Sequence, residues 1–255
     1  MVEGTSALLA TAIHAGSDLR PDLLVRCALS AEERLREEDP YTERWTDIAD
    51  NRIIGWCSRF EMDLNRPRMK AVYRSPEEAW GLHVWRAPLP LEEVERSLER
   101  YDAFYAMAEG LVERMLERHP RVIIYDLHSY NHQRGGPGIL SDQQENPEIN
   151  LGTANLQRDA WEPVVEQLIT SLRGPDEGGK TWDVRENVKF KGGYFTQWLN
   201  ERFGERVCPI AIEFKKTFMD EWTGAPDQEA IIRLKHLLAR SVEPVMRAAH
   251  ALRTA

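Results

Sequence analysis

The most constraining feature is a run at residues 122–127, VIIYDL, flanked by Arg121 and His128. Apolar and β-branched side chains stand at nearly every position, not at alternate ones. A strand of that kind must be covered on both faces, which requires a layer of structure on either side. The preceding segment supplies one such layer. Within residues 90–119, Leu91, Val94, Leu98, Tyr101, Tyr105, Ala108, Val112 and Met115 recur three or four residues apart, and Pro120 follows. This spacing predicts a long amphipathic helix that ends just before the strand.

Other segments extend the pattern. Residues 8–13 form a short apolar run that stops at His14-Ala15-Gly16, expected to be a buried strand. Residues 57–64, CSRFEMDL, alternate imperfectly and are expected to be a strand, with a turn at Asn65-Arg66-Pro67. Residues 161–172 predict a helix with Pro163 in its first turn and Gly174-Pro175 beyond it. A shorter helix is expected over 193–203, and a strand over 207–214, VCPIAIEF, despite Pro209. A closing helix is expected over 227–252, kinked or broken near Pro244. This alternation predicts an α/β fold, a three-layer α/β/α sandwich around a mixed, largely parallel sheet. We expect one domain over residues 1–255.

Composition narrows the class. The 255 residues are 42% hydrophobic and 29% charged, which are globular proportions. The formal net charge of −9 argues against a nucleic-acid partner. No apolar run approaches the ~20 residues of a membrane span, so no membrane partner is expected. The start, MVEGTSALLATAIHAG, carries Glu3 and no basic stretch, unlike a signal peptide. Cys27, Cys57 and Cys208 lack CxxC spacing and suit a reducing, cytoplasmic setting. Nothing here sets an oligomeric state.

Sheets of this type bind ligands beyond the carboxyl ends of their strands. His14, Asn65-Arg66, His128 and Glu213 all fall at or near such ends. Zinc takes histidine and carboxylate ligands, and Glu37-Glu38-Asp39 offers carboxylates in a loop. His83, His119, His132, His236 and His250 read as packed or surface histidines. Asn65-Arg66 suits a two-bond clamp for a carboxylate, or else a surface turn; Arg59 adds positive charge nearby. Glu213 sits inside an apolar strand. Burial there would raise its pKa and suit a general acid or base, unless it is an edge residue paired with Lys215 or Lys216. The glycines after Arg134 and those at 192 and 193 read as loops or as backbone approached by a substrate. No GxGxxG, HExxH or GxSxG pattern is present.

Six segments, AIHAG around His14, RFEMDLNRP at 59–67, YDLHS at 125–129, NLGTAN at 150–155, FKGGYFTQ at 190–197 and IEFKKTFMDE at 212–221, together resemble the N-formylglutamate amidohydrolase family. That family is similar in its site motifs to the zinc carboxypeptidases. The resemblance implies a zinc-carboxypeptidase-like (phosphorylase/hydrolase-like) fold and a zinc-dependent amidohydrolase. Its substrate would be a small carboxylate-bearing N-acyl amino acid such as N-formyl-L-glutamate, or a peptide. His14 and His128 would be zinc ligands, with Asp39, in preference to Glu38, as the third. Glu213 would be the general base. Asn65 and Arg66, with Arg59 or Arg134, would hold the substrate carboxylate. The HxxE pair of carboxypeptidases is absent, since Ser17 stands three residues after His14. The segment 38–44, EDPYTER, also departs from the usual family wording. A carboxypeptidase-like hydrolase of another amide, or a non-catalytic homologue that binds a metal or ligand, fits the same residues. The loop at 70–90, with Tyr73, Trp80 and Trp85, is the expected specificity element.

Overall fold

The computed structural model describes residues 1–252; residues 253–255, the end of the expected domain, lie outside the described residues. Among the described residues, six strands form one sheet: β1 (Leu8–Ala12), β2 (Asn51–Ile54), β3 (Val122–Tyr130), β4 (Ile149–Gly152), β5 (Val184–Glu186) and β6 (Val207–Lys215). Their order is β2-β1-β3-β6-β4-β5. The first four in that order run parallel; β4 is antiparallel to β6, and β5 follows β4. The helices are α1 (Pro21–Leu24), α2 (Ala31–Glu37), α3 (Leu91–Arg118), α4 (Glu162–Arg173), α5 (Tyr194–Phe203) and α6 (Gln228–Ala251).

The alternation of side chains on β3 builds the three layers. Ile123, Tyr125 and Leu127 pack into a core with Val165 and Leu168 of α4 and Leu234 and Leu238 of α6. Val122 and Ile124 face the other way, into a core with Tyr105, Leu111 and Val112 of α3 and Phe195 and Leu199 of α5. All nine residues of β3 are buried, as a strand covered on both sides requires. Pro209 is tolerated in β6 because β4 pairs only with residues 211–214. The proline therefore lies where β6 has a ladder partner on one side.

Two readings of the sequence are corrected. Residues 57–64 are not a strand. They form turns after one isolated bridge between Cys57 and Asp18, and the edge strand is β2, just upstream. Side chains there bond their own backbone: Ser58 Oγ accepts from Phe60 N (3.2 Å) and Asp63 Oδ1 from Asn65 N (2.9 Å). Such local bonds compete with a β ladder. The closing helix is not broken at Pro244; α6 runs through it. Burial of Leu234, Leu237, Leu238, Val245 and Ala249 along one face outweighs the ~3 kcal/mol that an internal proline costs. Finally, residues 174–181, GPDEGGKT, match the letters of a phosphate-binding loop. They leave a helix and lead to a strand, the reverse of the order such a loop needs. Asp176 Oδ1 already accepts the Gly178 and Lys180 N–H groups (2.9 Å each).

Two irregular segments prepare the site. α2 starts on a capping box: Ser30 Oγ accepts from Glu33 N (3.1 Å), and Ser30 N donates to the Glu33 carboxylate (2.7 Å). Its end delivers Glu38 and Asp39 toward the sheet. The 3-10 turn Thr42–Ile48 is then anchored by fully buried Trp45, which packs at a tilt on Phe214 and edge-on to Phe218 and donates to Ile231 O (3.0 Å).

Candidate metal and substrate site

The parallel register of β3 and β6 sets His128 directly opposite Glu213. Both residues have the parity that points away from the α4/α6 core, so they emerge on one face at the carboxyl ends. His14 lies two residues beyond β1, on the other side of β3. Its carbonyl accepts the N–H of Asp39 (2.9 Å), which ties the acidic segment to the strand end. Four residues from four distant parts of the chain thus meet around a cavity of about 200 Å³ that is lined by His14, Asp39, His128 and Glu213.

His14, Asp39 and His128 form a buried trio whose ligand atoms all lie within 4.8 Å of one another. His128 Nδ1 is 3.0 Å from Asp39 Oδ2, and His14 Nδ1 is 3.6 Å from the same oxygen. Each ring's other nitrogen is engaged behind the site. His14 Nε2 meets Asp63 Oδ1 at 2.8 Å, and His128 Nε2 meets Asp126 Oδ2 at 2.9 Å. Thr11 Oγ1 in turn donates to Asp126 (2.6 Å). A carboxylate behind each imidazole fixes the ring and leaves Nδ1 facing the centre, as metal-binding histidines require. Two imidazole nitrogens and one carboxylate are the donor set of a catalytic zinc site, so these residues could hold such an ion.

The electrostatics point the same way. Burial alone would lower the His128 pKa, but Asp126 and Asp39 outweigh it and raise it well above the usual histidine range. Burial would raise Asp39, yet His128 and His14 hold it well below the usual carboxylate range. The pocket is therefore built for positive charge at its centre. Burial pushes Glu213 up to about 8; nearby His128 opposes this, and Asp39 and Asp126 add to it. Asp126→Asn should weaken divalent-metal affinity by roughly 10- to 100-fold with the fold retained, read by metal titration. Unchanged affinity would remove Asp126 from this role.

Asp63 is a second hub that the sequence reading did not single out. It is fully buried, and besides His14 it accepts from Arg59 Nη2 (2.8 Å) and the Tyr73 hydroxyl, and pairs with Arg66 Nε (3.3 Å). Burial would raise its pKa, but Arg59 and His14 hold it well below the ordinary range. The signal was present as a charged residue within the DLNR turn. Arg59 and Trp80 line the cavity, with the Arg59 guanidinium 4.8 Å from the Trp80 ring centre. Trp80 adopts φ 54°, a left-handed conformation that is costly for a bulky side chain and is held at this wall. Tyr73 is buried beneath, and Trp85 Nε1 donates to its carbonyl (2.8 Å). Arg66 stacks over Tyr73 (4.5 Å) and is not among the cavity-lining residues. Arg134 lines the cavity and forms a two-bond pair with Glu37 (2.7 and 2.8 Å).

Asn65 also lines the cavity, where its Oδ1 accepts from Phe195 N (3.0 Å). A Cβ on Gly193 would fall 2.1 Å from that oxygen, so only glycine lets the two segments touch. Gly193→Ala should displace Asn65 and the start of α5, raising KM at least tenfold if Asn65 holds substrate. An unchanged KM would exclude Asn65 from binding. Glu38 turns away from the trio: its carboxylate accepts from Ser58 Oγ, and burial pushes its pKa up to about 7. Lys216, on the cavity wall, donates to Arg36 O and Glu38 O (2.7 Å each), bracing the segment that carries Asp39.

The fold and site define an α/β protein with a His–Asp–His cluster and a buried glutamate at the carboxyl ends of a mixed sheet. A model of the N-formylglutamate amidohydrolase family matches residues 6–219, and the chain belongs to that family. Its structure is similar to that of N-formylglutamate amidohydrolase from Ralstonia eutropha JMP134, with a TM-score of 0.74, 20% identity, and coverage of 98% of this chain and 96% of that one. It is also similar to a gene product from Agrobacterium tumefaciens, with a TM-score of 0.65, 16% identity, and coverage of 94% and 92%. No curated protein sequence matches the chain. Among the described residues, no helix is long and apolar enough to cross a membrane.

Proposed function

We propose that this protein is a zinc-dependent amidohydrolase that cleaves the formyl or acyl amide of a small N-acyl amino acid such as N-formyl-L-glutamate. The observation that carries this reading is the cluster of His14, Asp39 and His128 beside Glu213 in one cavity. His14, Asp39 and His128 would hold the metal. When bound, zinc supplies Lewis acidity and makes water a competent nucleophile near neutral pH. Glu213 takes the proton from the attacking water as the new C–O bond forms. It then delivers that proton to the amide nitrogen as the C–N bond breaks, releasing a carboxylic acid and an amine. Burial stabilises the protonated form of Glu213 that lies between these two transfers. Arg59, Asn65 and Arg134 on the cavity wall bind the substrate carboxylate, with Arg66 alongside, and so orient the scissile bond. A single catalytic domain in a reducing, cytoplasmic compartment accords with three buried free cysteines.

The test combines metal analysis with assays on N-formyl and N-acyl amino acids. The expected result is about one divalent ion per chain, loss of hydrolysis on chelation and recovery on adding zinc. A protein with no metal and no metal-stimulated hydrolysis of any of these amides would sink the proposal.

A further inference from the structure

We propose that Lys189 binds the side-chain carboxylate of the substrate and so directs the site to N-acyl derivatives of acidic amino acids; this rests on the amidohydrolase reading above. Lys189 lines the same cavity as His128 and Glu213. Its ammonium stands 6.0 Å from the ring centre of Tyr130, a cavity residue two positions beyond His128 on β3. The segment that carries Lys189 is tied to the sheet. Asn150 is fully buried on β4, where it pairs with Glu213 of β6. Its Oδ1 accepts from the N–H groups of Val188 (3.0 Å) and Lys189 (2.8 Å), and its Nδ2 donates to Phe190 O (2.8 Å). Asn187, just upstream, turns the chain in a left-handed conformation (φ 56°), and its Oδ1 accepts from Thr153 N (2.9 Å). The strand pair that carries Glu213 thus also fixes where the lysine joins the cavity wall.

The other cations on the wall are committed within the protein. Arg59 donates to Asp63 (2.8 Å) and to Glu37 O (3.1 Å), Arg134 is paired twice with Glu37, and Lys216 Nζ is used on Arg36 O and Glu38 O. Among the described residues, the Lys189 ammonium has no hydrogen bond or ion pair. The two kinds of cation suit two kinds of carboxylate. An anchored guanidinium presents its remaining N–H groups at a fixed position, which matches the α-carboxylate, whose distance from the scissile bond is the same in every N-acyl amino acid. An ammonium on a four-carbon stem is a mobile point charge, which matches a carboxylate at the end of a flexible side chain. An acidic side chain entering this cavity gains a charge-assisted hydrogen bond from Lys189. A neutral side chain of the same size gains less, and the difference is selectivity.

The experiment compares kcat/KM for N-formyl-L-glutamate with that for N-formyl-L-glutamine, its neutral isostere. Both are measured for the zinc-loaded wild type, Lys189→Met and the charge-reversed Lys189→Glu, with circular dichroism to show that the variants are folded. The wild type should prefer the acidic amide by about tenfold or more. That ratio should fall about fivefold or more in Lys189→Met, and further in Lys189→Glu, where the contact becomes repulsive. A ratio that both variants leave unchanged, including an equal loss on both substrates, would overturn the role of Lys189 alone. Equal falls in the two variants would trace the preference to packing, not charge, and would overturn it as well. A wild type that hydrolyses N-acyl amino acids without preferring the acidic amide would sink this inference and leave the proposed function standing. A wild type inactive on every such amide would overturn both.

Discussion

Glu213→Gln is expected to keep metal binding and lose ~2–4 orders of magnitude in kcat, the range for removal of a general base. Glutamine fills the same space opposite His128 but cannot take a proton. The activity assay and a metal titration on the same sample separate the two effects. Retained activity would remove Glu213 from the chemistry, and lost metal would give it a structural part instead. A second consequence concerns the metal-free protein. Burial raises the Glu213 pKa from an ordinary 4.5 to about 8. A carboxyl shifted upward contributes stability that is fully present below pH 4.5 and is lost as pH rises through about 8, because ionisation in the buried site is disfavoured. The glutamine that replaces it does not titrate. The metal-free variant should therefore gain stability relative to the wild type between pH 5 and pH 8, on the order of 3 kcal/mol. Chemical denaturation at the two pH values measures it, and a pH-independent difference would contradict the burial argument.

Asp63→Asn is expected to be among the most destabilising single changes, by roughly 3–5 kcal/mol, because it strips a buried ion network of its anion. Arg59 and Arg66 both pair with Asp63, and its side chain is fully buried. Removing one charge leaves the Arg59 guanidinium without its carboxylate partner, and replaces the charged acceptor behind His14 Nε2 by a neutral amide oxygen. Urea unfolding should show the loss. The double variant Arg59→Met/Asp63→Asn should recover part of it, since the unpaired cation is then gone. A loss below about 1 kcal/mol in the single variant would mean that solvent reaches the network and screens it.

The two changes differ in how far sequence foretold them. Glu213 was visible as a carboxylate in an apolar strand, and the parity of that strand assigns its face. Asp63 was visible only as part of a turn next to Asn65-Arg66. Nothing in its spacing shows that one carboxylate brings together His14, Arg59, Arg66 and Tyr73, since those residues reach it from segments 3 to 49 positions away. The edge strand shows the same limit. Residues 57–64 carry the letters of a strand, yet Ser58 and Asp63 turn their own backbone, and NRII at 51–54 pairs with β1 instead.

By itself the sequence determined the layers: β3 and β6 through continuous apolar runs that call for cover on both faces, and α3 through α6 through apolar stripes at a period of 3.6, both local properties. It also placed His14, His128 and Glu213 at strand ends, because apolar runs stop visibly. Only the tertiary structure decided which neighbour at 38–39 turns toward the histidines. Those residues lie beyond α2 in a segment without periodicity, and their directions are set by contacts from elsewhere: His14 O on the Asp39 N–H, Ser58 on the Glu38 carboxylate, and Lys216 on the Glu38 carbonyl.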